Sequence, residues 1–328
     1  MTNRIGVIGG GAWGTALAQV AAAGGGETIL WAREEEVVEA VNGAHENSIF
    51  LPGLPLSAGI RATSDLSELV ACEALLIVAP AQHTRSVLAA LPRLGTPLIL
   101  CAKGMEEASR KLMHEVASEE QPEAPIAVLS GPTFAHEVAQ GMPAAVTLAA
   151  EDEGVGERLR SMIARPNFRP YLSGDVIGAE IGGAVKNVLA IACGVVEGRR
   201  LGQNARAALI SRGFAEMSRF GIARGARPET LAGLSGLGDL VLTCSSTSSR
   251  NFSLGKGLGE GRSAAELLAD RRSVAEGAYT APVLKRAAED AGVDMPIVAA
   301  VCALLAGEAS VDEVVERLLT RPLRAELG

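Results

Sequence analysis

The amino-acid sequence predicts an α/β fold in two parts: a doubly wound, mainly parallel sheet over residues 1–178, followed by an all-helical domain over residues 179–328. Three observations carry that expectation. Short β-branched runs alternate with alanine- and glutamate-rich segments through the first half, a glycine-rich turn follows the first such run, and strand-like runs cease after about Asp175. Strands alternating with helices form βαβ units, whose crossovers cover both faces of a parallel sheet. A chain of 328 residues is longer than one average domain, which fits the division.

Along the chain, "RIGVIG" opens the sheet at Arg4, and "WGTALAQVAAAGGG" reads as a helix closed by Gly24 to Gly26. "ETILWA" from Glu27 is the second strand, followed by the helical "EEEVVEAVN". "ALLIVAP" from Ala74, the helical "TRSVLAALPRL", "PLILCAK" from Pro97, "IAVLSG" from Ile126 and "AAVTLAA" from Ala144 continue the alternation. "FRPYL" at Phe168 adds a last strand. The change of pattern places the domain boundary between Ser173 and Ile181. Beyond it, helical periodicity is broken by glycine-rich joints and by one Ser/Thr-rich loop, "TCSSTSSRN", beginning at Thr243.

The first turn carries chemistry. Gly9, Gly11 and Gly14 form G-x-G-x-x-G between a strand and a helix, the Rossmann-type arrangement. The first glycine permits the tight turn, the second lets a pyrophosphate approach the backbone, and the third lets the helix pack on the sheet. The helix N-terminus then faces the phosphates. An acidic residue at the end of the second strand would accept hydrogen bonds from a ribose. Here "ILWAREEE" offers Arg33, which suits a 2′-phosphate and favours NADP(H), with NAD(H) as the alternative; pairing with Glu34, Glu35 or Glu36 is the competing use of the guanidinium.

Ligands of open α/β sheets lie beyond the carboxyl ends of the strands. "CAKG" delivers Lys103 there, and "LSGPTFA" delivers Gly131, Thr133 and Ala135. In the second half, Lys186 has Gly182, Gly183, Leu189 and Ala190 as its helical neighbours, so no acid on its own helix pairs with it. Loss of hydration on such a face would lower its pKa and favour proton exchange near neutral pH. The segment "GLSGLGDLVLTCSSTSSRN" combines Asp239, Thr243, Ser249, Arg250 and Asn251, a basic and hydroxyl-rich set suited to gripping a phosphate.

Composition excludes several classes. The net charge of −8 opposes non-specific attraction to nucleic acid or an anionic membrane, so an anionic ligand must be met by a local basic cluster. Five scattered cysteines (Cys72, Cys101, Cys193, Cys244, Cys302) form no C-x-x-C pair and read as reduced, apolar filler in a cytoplasmic protein. The N-terminus enters a strand without a basic n-region and apolar h-region, so no signal peptide is expected. "VIGAEIGGAVKNVLAIACGVV" from Val176 is interrupted by Glu180 and Lys186, which favours a buried helix over a membrane span. His45, His83, His114 and His136 share no metal spacing, and no metal is expected.

Together these blocks give the chain a resemblance to the bacterial NAD(P)-dependent glycerol-3-phosphate dehydrogenases. It rests on "VIGGGAWGTALA", "AKGME", "SGPTFAHEV", "GGAVKNVLAIACG", "NARAALISRGFAEM", "GLSGLGDLVLTC", "SRN", "VAEG" and "GVDMPI", which span almost the whole length. The resemblance implies reduction of dihydroxyacetone phosphate to sn-glycerol 3-phosphate for phospholipid synthesis, by a cytoplasmic homodimer. It makes Lys186 the proton donor and acceptor, with Lys103, Asp239 and Thr243 around the reacting end of the substrate. Gly131, Thr133, Ser249, Arg250 and Asn251 would bind the substrate, with Lys103 and Arg250 shared with the coenzyme. Ala12, Trp13, Arg33, Ala135, Val274 and Glu276 would line the coenzyme. Ala12 stands where many relatives carry Ser, and "VAPAQH" and "AEGAYTAP" also depart from the family pattern. Two other readings stand beside it: a related β-hydroxyacid or imine reductase, and an NADPH-binding sensor without chemistry. Joint retention of Lys186, Asp239 and Arg250 speaks against the sensor, which needs only the first domain.

Overall fold

The structure, a computed structural model, describes residues 4–93, 95–269 and 275–322. The chain divides into two compact units, Met1–Gly183 with Gly225–Asp239, and Ala184–Arg224 with Leu240–Gly328. The sequence placed a single boundary at 178/179. The observed division lies five residues later, and the first unit takes back a segment beyond it.

The first unit begins with β1 (Ile5–Ile8), α1 (Ala12–Ala22), β2 (Thr28–Trp31), α2 (Glu35–Ala44), β3 (Glu46–Asn47), β4 (Leu51–Pro55) and β5 (Ile60–Thr63). It continues through β6 (Ala74–Ile77), α3 (Ala81–Ala90), β7 (Leu98–Leu100), α4 (Met113–Glu120) and β8 (Ile126–Ser130). The sheet run ends with α5 (Ala135–Ala139), β9 (Ala144–Ala150), α6 (Glu153–Ile163) and β10 (Phe168–Ser173). The main sheet has eight strands in the order β10-β9-β8-β7-β6-β1-β2-β5. All its pairings are parallel except β8 with β9. The strand order reverses at β1, which pairs with β2 on one side and β6 on the other; such a switch point opens a crevice for ligand at the carboxyl ends.

Apolar side chains of α1, α2 and α6 cover one face of the sheet, among them Leu17, Val37, Val41 and Leu159. Leu88, Met113, Val116 and Ala179 belong to the core on the other face. Each fully buried Leu or Ile contributes about 1.5–3 kcal/mol relative to exposure, so the two layers hold the doubly wound arrangement. The sequence reading lacked β3, β4 and β5. Pro52, Gly53 and Pro55 in β4 are strand breakers, and β5 is an edge strand with exposed Arg61, so neither presents the apolar run of a central strand.

The helices that follow are α7 (Val176–Gly198), α8 (Gln203–Ala223), α9 (Pro228–Leu231), a π-helical turn at Leu234–Gly238, and α10 (Asp239–Thr243). The remainder are α11 (Arg250–Gly259), α12 (Ala264–Leu267), α13 (Glu276–Asp290), α14 (Pro296–Ala306) and α15 (Val311–Leu319). Helix α7 is long and apolar enough to cross a membrane, but 94% of its most apolar window is buried within the protein, as expected for a core helix. Within the second unit, α7 and α11 meet through glycines on both sides. A Cβ at Gly194 would overlap the Phe252 carbonyl, and one at Gly255 would overlap the Ile191 carbonyl. Only bare backbone allows that approach.

The Ser/Thr-rich stretch is more ordered than its composition suggests. Ser249 accepts a hydrogen bond from the Phe252 N–H at 3.2 Å and caps α11. Arg250 and Asn251 therefore lie in the first turn of a helix, correcting the expectation of a flexible loop through Asn251.

Candidate active site

The turn between β1 and α1 has the features its spacing predicts. Gly9 has φ 129°, where a side chain is strained, and a Cβ at Gly14 would overlap the Gly9 carbonyl. Gly11 faces open space: nothing lies within 4 Å of the Cβ it lacks. It is the N-cap of α1, with no side-chain cap and no acid in the first turn. The amides and partial positive charge of the helix end are thus presented with no acid in the helix's own first turn.

These features fit a dinucleotide pyrophosphate, and the side chains around the turn add to the fit. The Trp13 Nε1–H, in the first turn of α1, is buried without a hydrogen-bond partner. Ala12 is half-buried beside it. Asn47, which sequence reasoning missed, buttresses the turn: its Nδ2 donates to the Gly10 carbonyl and to Thr15 Oγ1, both at 2.8 Å. An isolated asparagine in a proline-flanked stretch gives no spacing signal for that role. The Arg33 side chain is 76% exposed and forks onto Glu34 Oε1 at 2.8 and 3.1 Å, the competing pairing foreseen from sequence.

A second group forms at the carboxyl ends of β7 and β8, which are parallel neighbours. Lys103 Nζ donates to Asp239 Oδ2 at 2.8 Å and to the Gly131 carbonyl at 3.3 Å. Asp239 is fully buried, so this ion pair holds its charge away from solvent. Thr133 Oγ1 donates to the same Gly131 carbonyl at 3.3 Å, and Ala135 opens α5 just beyond. Cys101, two residues before Lys103, is fully buried, and burial pushes its thiol well above the ordinary range. It is filler rather than a nucleophile.

In the second unit, Lys186 is 5% exposed and donates from Nζ to Thr243 Oγ1 at 3.0 Å. The neighbouring Asn187 accepts at Oδ1 from Asn251 Nδ2 at 3.0 Å, and Asn251 Oδ1 in turn accepts the Gly277 N–H at 2.9 Å. Asn251 thereby ties α11 to α7 and to the start of α13, a fixing role the sequence did not reveal. Arg250, beside it, is exposed at the N-terminal turn of α11. Glu276 is the first residue of α13, and Val274 lies outside the described residues. Among the described residues, no group of three or more His, Cys, Asp or Glu is placed to hold a metal ion.

A glycine turn for a dinucleotide, a buried lysine held by a hydroxyl and a second lysine on a buried carboxylate define a two-unit nicotinamide-dependent oxidoreductase. Residues 4–155 match the NAD-dependent glycerol-3-phosphate dehydrogenase N-terminus family, and residues 175–316 match the corresponding C-terminus family. The chain belongs to the NAD-dependent glycerol-3-phosphate dehydrogenases. It is 65% identical over 326 residues to a glycerol-3-phosphate dehydrogenase [NAD(P)+] of Erythrobacter litoralis, covering 99% of this chain and 98% of that one. The enzyme of that name from Novosphingobium aromaticivorans is 64% identical over 327 residues, with 99% of each chain covered. Among solved structures, glycerol-3-phosphate dehydrogenase from Coxiella burnetii superposes with a TM-score of 0.93 at 37% identity, over 97% of this chain and 99% of that one.

Proposed function

We propose that the chain catalyses the reversible reduction of dihydroxyacetone phosphate to sn-glycerol 3-phosphate, with Lys186 as proton donor and acceptor. The single observation that carries the role of Lys186 is its burial, with Nζ held by Thr243 Oγ1, in a member of this family. The reduced nicotinamide coenzyme, when bound, supplies the hydride that C2 accepts. The Lys186 ammonium gives a proton to the C2 oxygen as charge develops there, and the resulting amine recovers one from solvent. Thr243 keeps the ammonium oriented. Lys103, on Asp239, adds positive charge beside the reacting end.

Arg250 and the N-terminal turn of α11 grip the phosphate, since a guanidinium fork and helix amides both suit its oxygens. Holding the substrate by a group that does not react fixes C2 for the chemistry. Gly131, Thr133, Ser249 and Asn251 frame the substrate; Asn251 does so through the backbone it ties down. Gly9, Gly11, Ala12, Trp13 and Gly14 hold the coenzyme, with Ala135, Val274 and Glu276. Arg33 favours NADP(H) by exchanging Glu34 for a 2′-phosphate. The reaction supplies the glycerol phosphate of phospholipids, in a cytoplasmic homodimer. Five free cysteines, four of them buried, accord with a reducing compartment.

The test is oxidation of NADPH and of NADH followed with dihydroxyacetone phosphate, for the wild type and for Lys186→Met. The variant keeps the apolar stem, so coenzyme affinity should stay within a few fold while turnover falls by about 10² to 10⁴. Turnover near that of the wild type would move the acid/base role to Lys103.

A further inference from the structure

We propose that Asn47 is a positioning residue for the coenzyme: from beneath the glycine turn it fixes the peptide groups whose amides meet the pyrophosphate. This rests on the assignment of the dinucleotide to that turn, and every residue involved belongs to the first unit.

Asn47 and Thr15 are both fully buried. The Asn47 amide donates one proton to the Gly10 carbonyl and the other to Thr15 Oγ1, each at 2.8 Å. Thr15 Oγ1 passes the bonding on to the Gly11 carbonyl at 2.9 Å, where the Thr15 N–H also arrives at 2.9 Å. Asn47 Oδ1 accepts the Phe50 N–H at 3.1 Å, so the side chain is itself held by the connection between β3 and β4. Both amide protons, the amide oxygen and the hydroxyl proton are thus committed, and a buried network so fully bonded holds its members rigid.

The consequence for the turn follows from peptide geometry. A trans peptide is planar, so its N–H points opposite to its carbonyl. Tying the Gly10 carbonyl to Asn47 turns the Gly11 N–H away from the network, and tying the Gly11 carbonyl to Thr15 does the same for the Ala12 N–H. These amides stand at the N-terminus of α1, beside the open space at Gly11. Gly9, Gly10 and Gly11 are three permissive residues in succession, and a turn free to rotate its amides would have to give up that freedom on binding. Asn47 removes the freedom beforehand.

The experiment titrates the full-length chain with NADPH and with NADH, following fluorescence well below the melting temperature of each variant. Asn47→Ala and the near-isosteric Thr15→Val should each weaken both coenzymes about tenfold and by equal factors, because the pyrophosphate is common to the two. Together they should weaken binding by less than the product of the single losses, since the two side chains act through one shared bond. Thr15→Ser, which keeps the hydroxyl, should bind within about twofold of the wild type. Variants that melt lower yet bind as tightly as the wild type would reduce Asn47 to structural support and overturn the proposal, as would a loss confined to NADPH. A wild type that binds neither coenzyme would instead overturn the placement of the dinucleotide at the turn, and this role with it.

Discussion

The β1–α1 turn and the α7–α11 pair use glycine for opposite ends. Gly11 has nothing within 4 Å of the Cβ it lacks, whereas Gly194 and Gly255 have the backbone of the facing helix in that place. Two helix N-termini differ in the same sense. The first turn of α1 has no side-chain cap and no acid. At α14, the buried Glu216 of α8 accepts the Ile297 N–H at 2.8 Å and the Val298 N–H at 3.3 Å. At these places the first unit leaves space and donors open, and the second fills both with its own atoms.

The comparison breaks most severely at the closed glycines. Gly255→Val would drive a branched side chain into the Ile191 carbonyl and force α11 from α7, with a loss of more than about 3 kcal/mol. Chemical denaturation should show it; a variant as stable as the wild type would mean that the helices do not touch there. Next comes the open glycine. Gly11 has φ −69°, which alanine adopts freely, so Gly11→Ala should keep its melting temperature while binding NADPH at least about tenfold more weakly. Fluorescence titration reads the affinity, and an unchanged value would move the pyrophosphate elsewhere.

The smallest effect belongs to the closed helix end. Burial pushes the Glu216 carboxyl up to about 7, against 4.5 ordinarily, with the two backbone amides opposing the rise. The folded state thus holds this proton more tightly than the unfolded chain does. Its contribution to stability is complete below pH 4.5 and is lost as pH rises through about 7. Between pH 6 and 7 the loss is about 1 kcal/mol. Denaturation of the wild type and Glu216→Gln at both pH values should show this slope only in the wild type; parallel slopes would assign the pH dependence to other groups.

Much of this was legible in the sequence, because strand–turn–helix order and glycine spacing are local. The G-x-G-x-x-G turn, the central strands, the buried α7 and the helical second half all follow from residues within a few positions of one another. The Lys103–Asp239 pair joins residues 136 apart and shows in no spacing. Asn47 under the glycine turn and Asn251 between three helices are single polar residues whose partners only folding supplies. The Ser/Thr run was misread because loop composition and an N-cap use the same residues, and only the geometry of Ser249 tells them apart.

The return of Gly225–Asp239 to the first unit has a consequence for synthesis on the ribosome. Although most of that unit has been made once Gly183 is added, the carboxylate that receives the Lys103 ammonium arrives 136 residues after the lysine. At ordinary elongation rates that is a delay on the order of 10 s, through which the lysine stands without this counter-charge. The nascent sheet can collapse early, but its charged pair closes only after the first helices of the second unit have been made. A message truncated before codon 239 therefore yields a chain in which the glycine turn is whole and the ion pair at the ends of β7 and β8 is not.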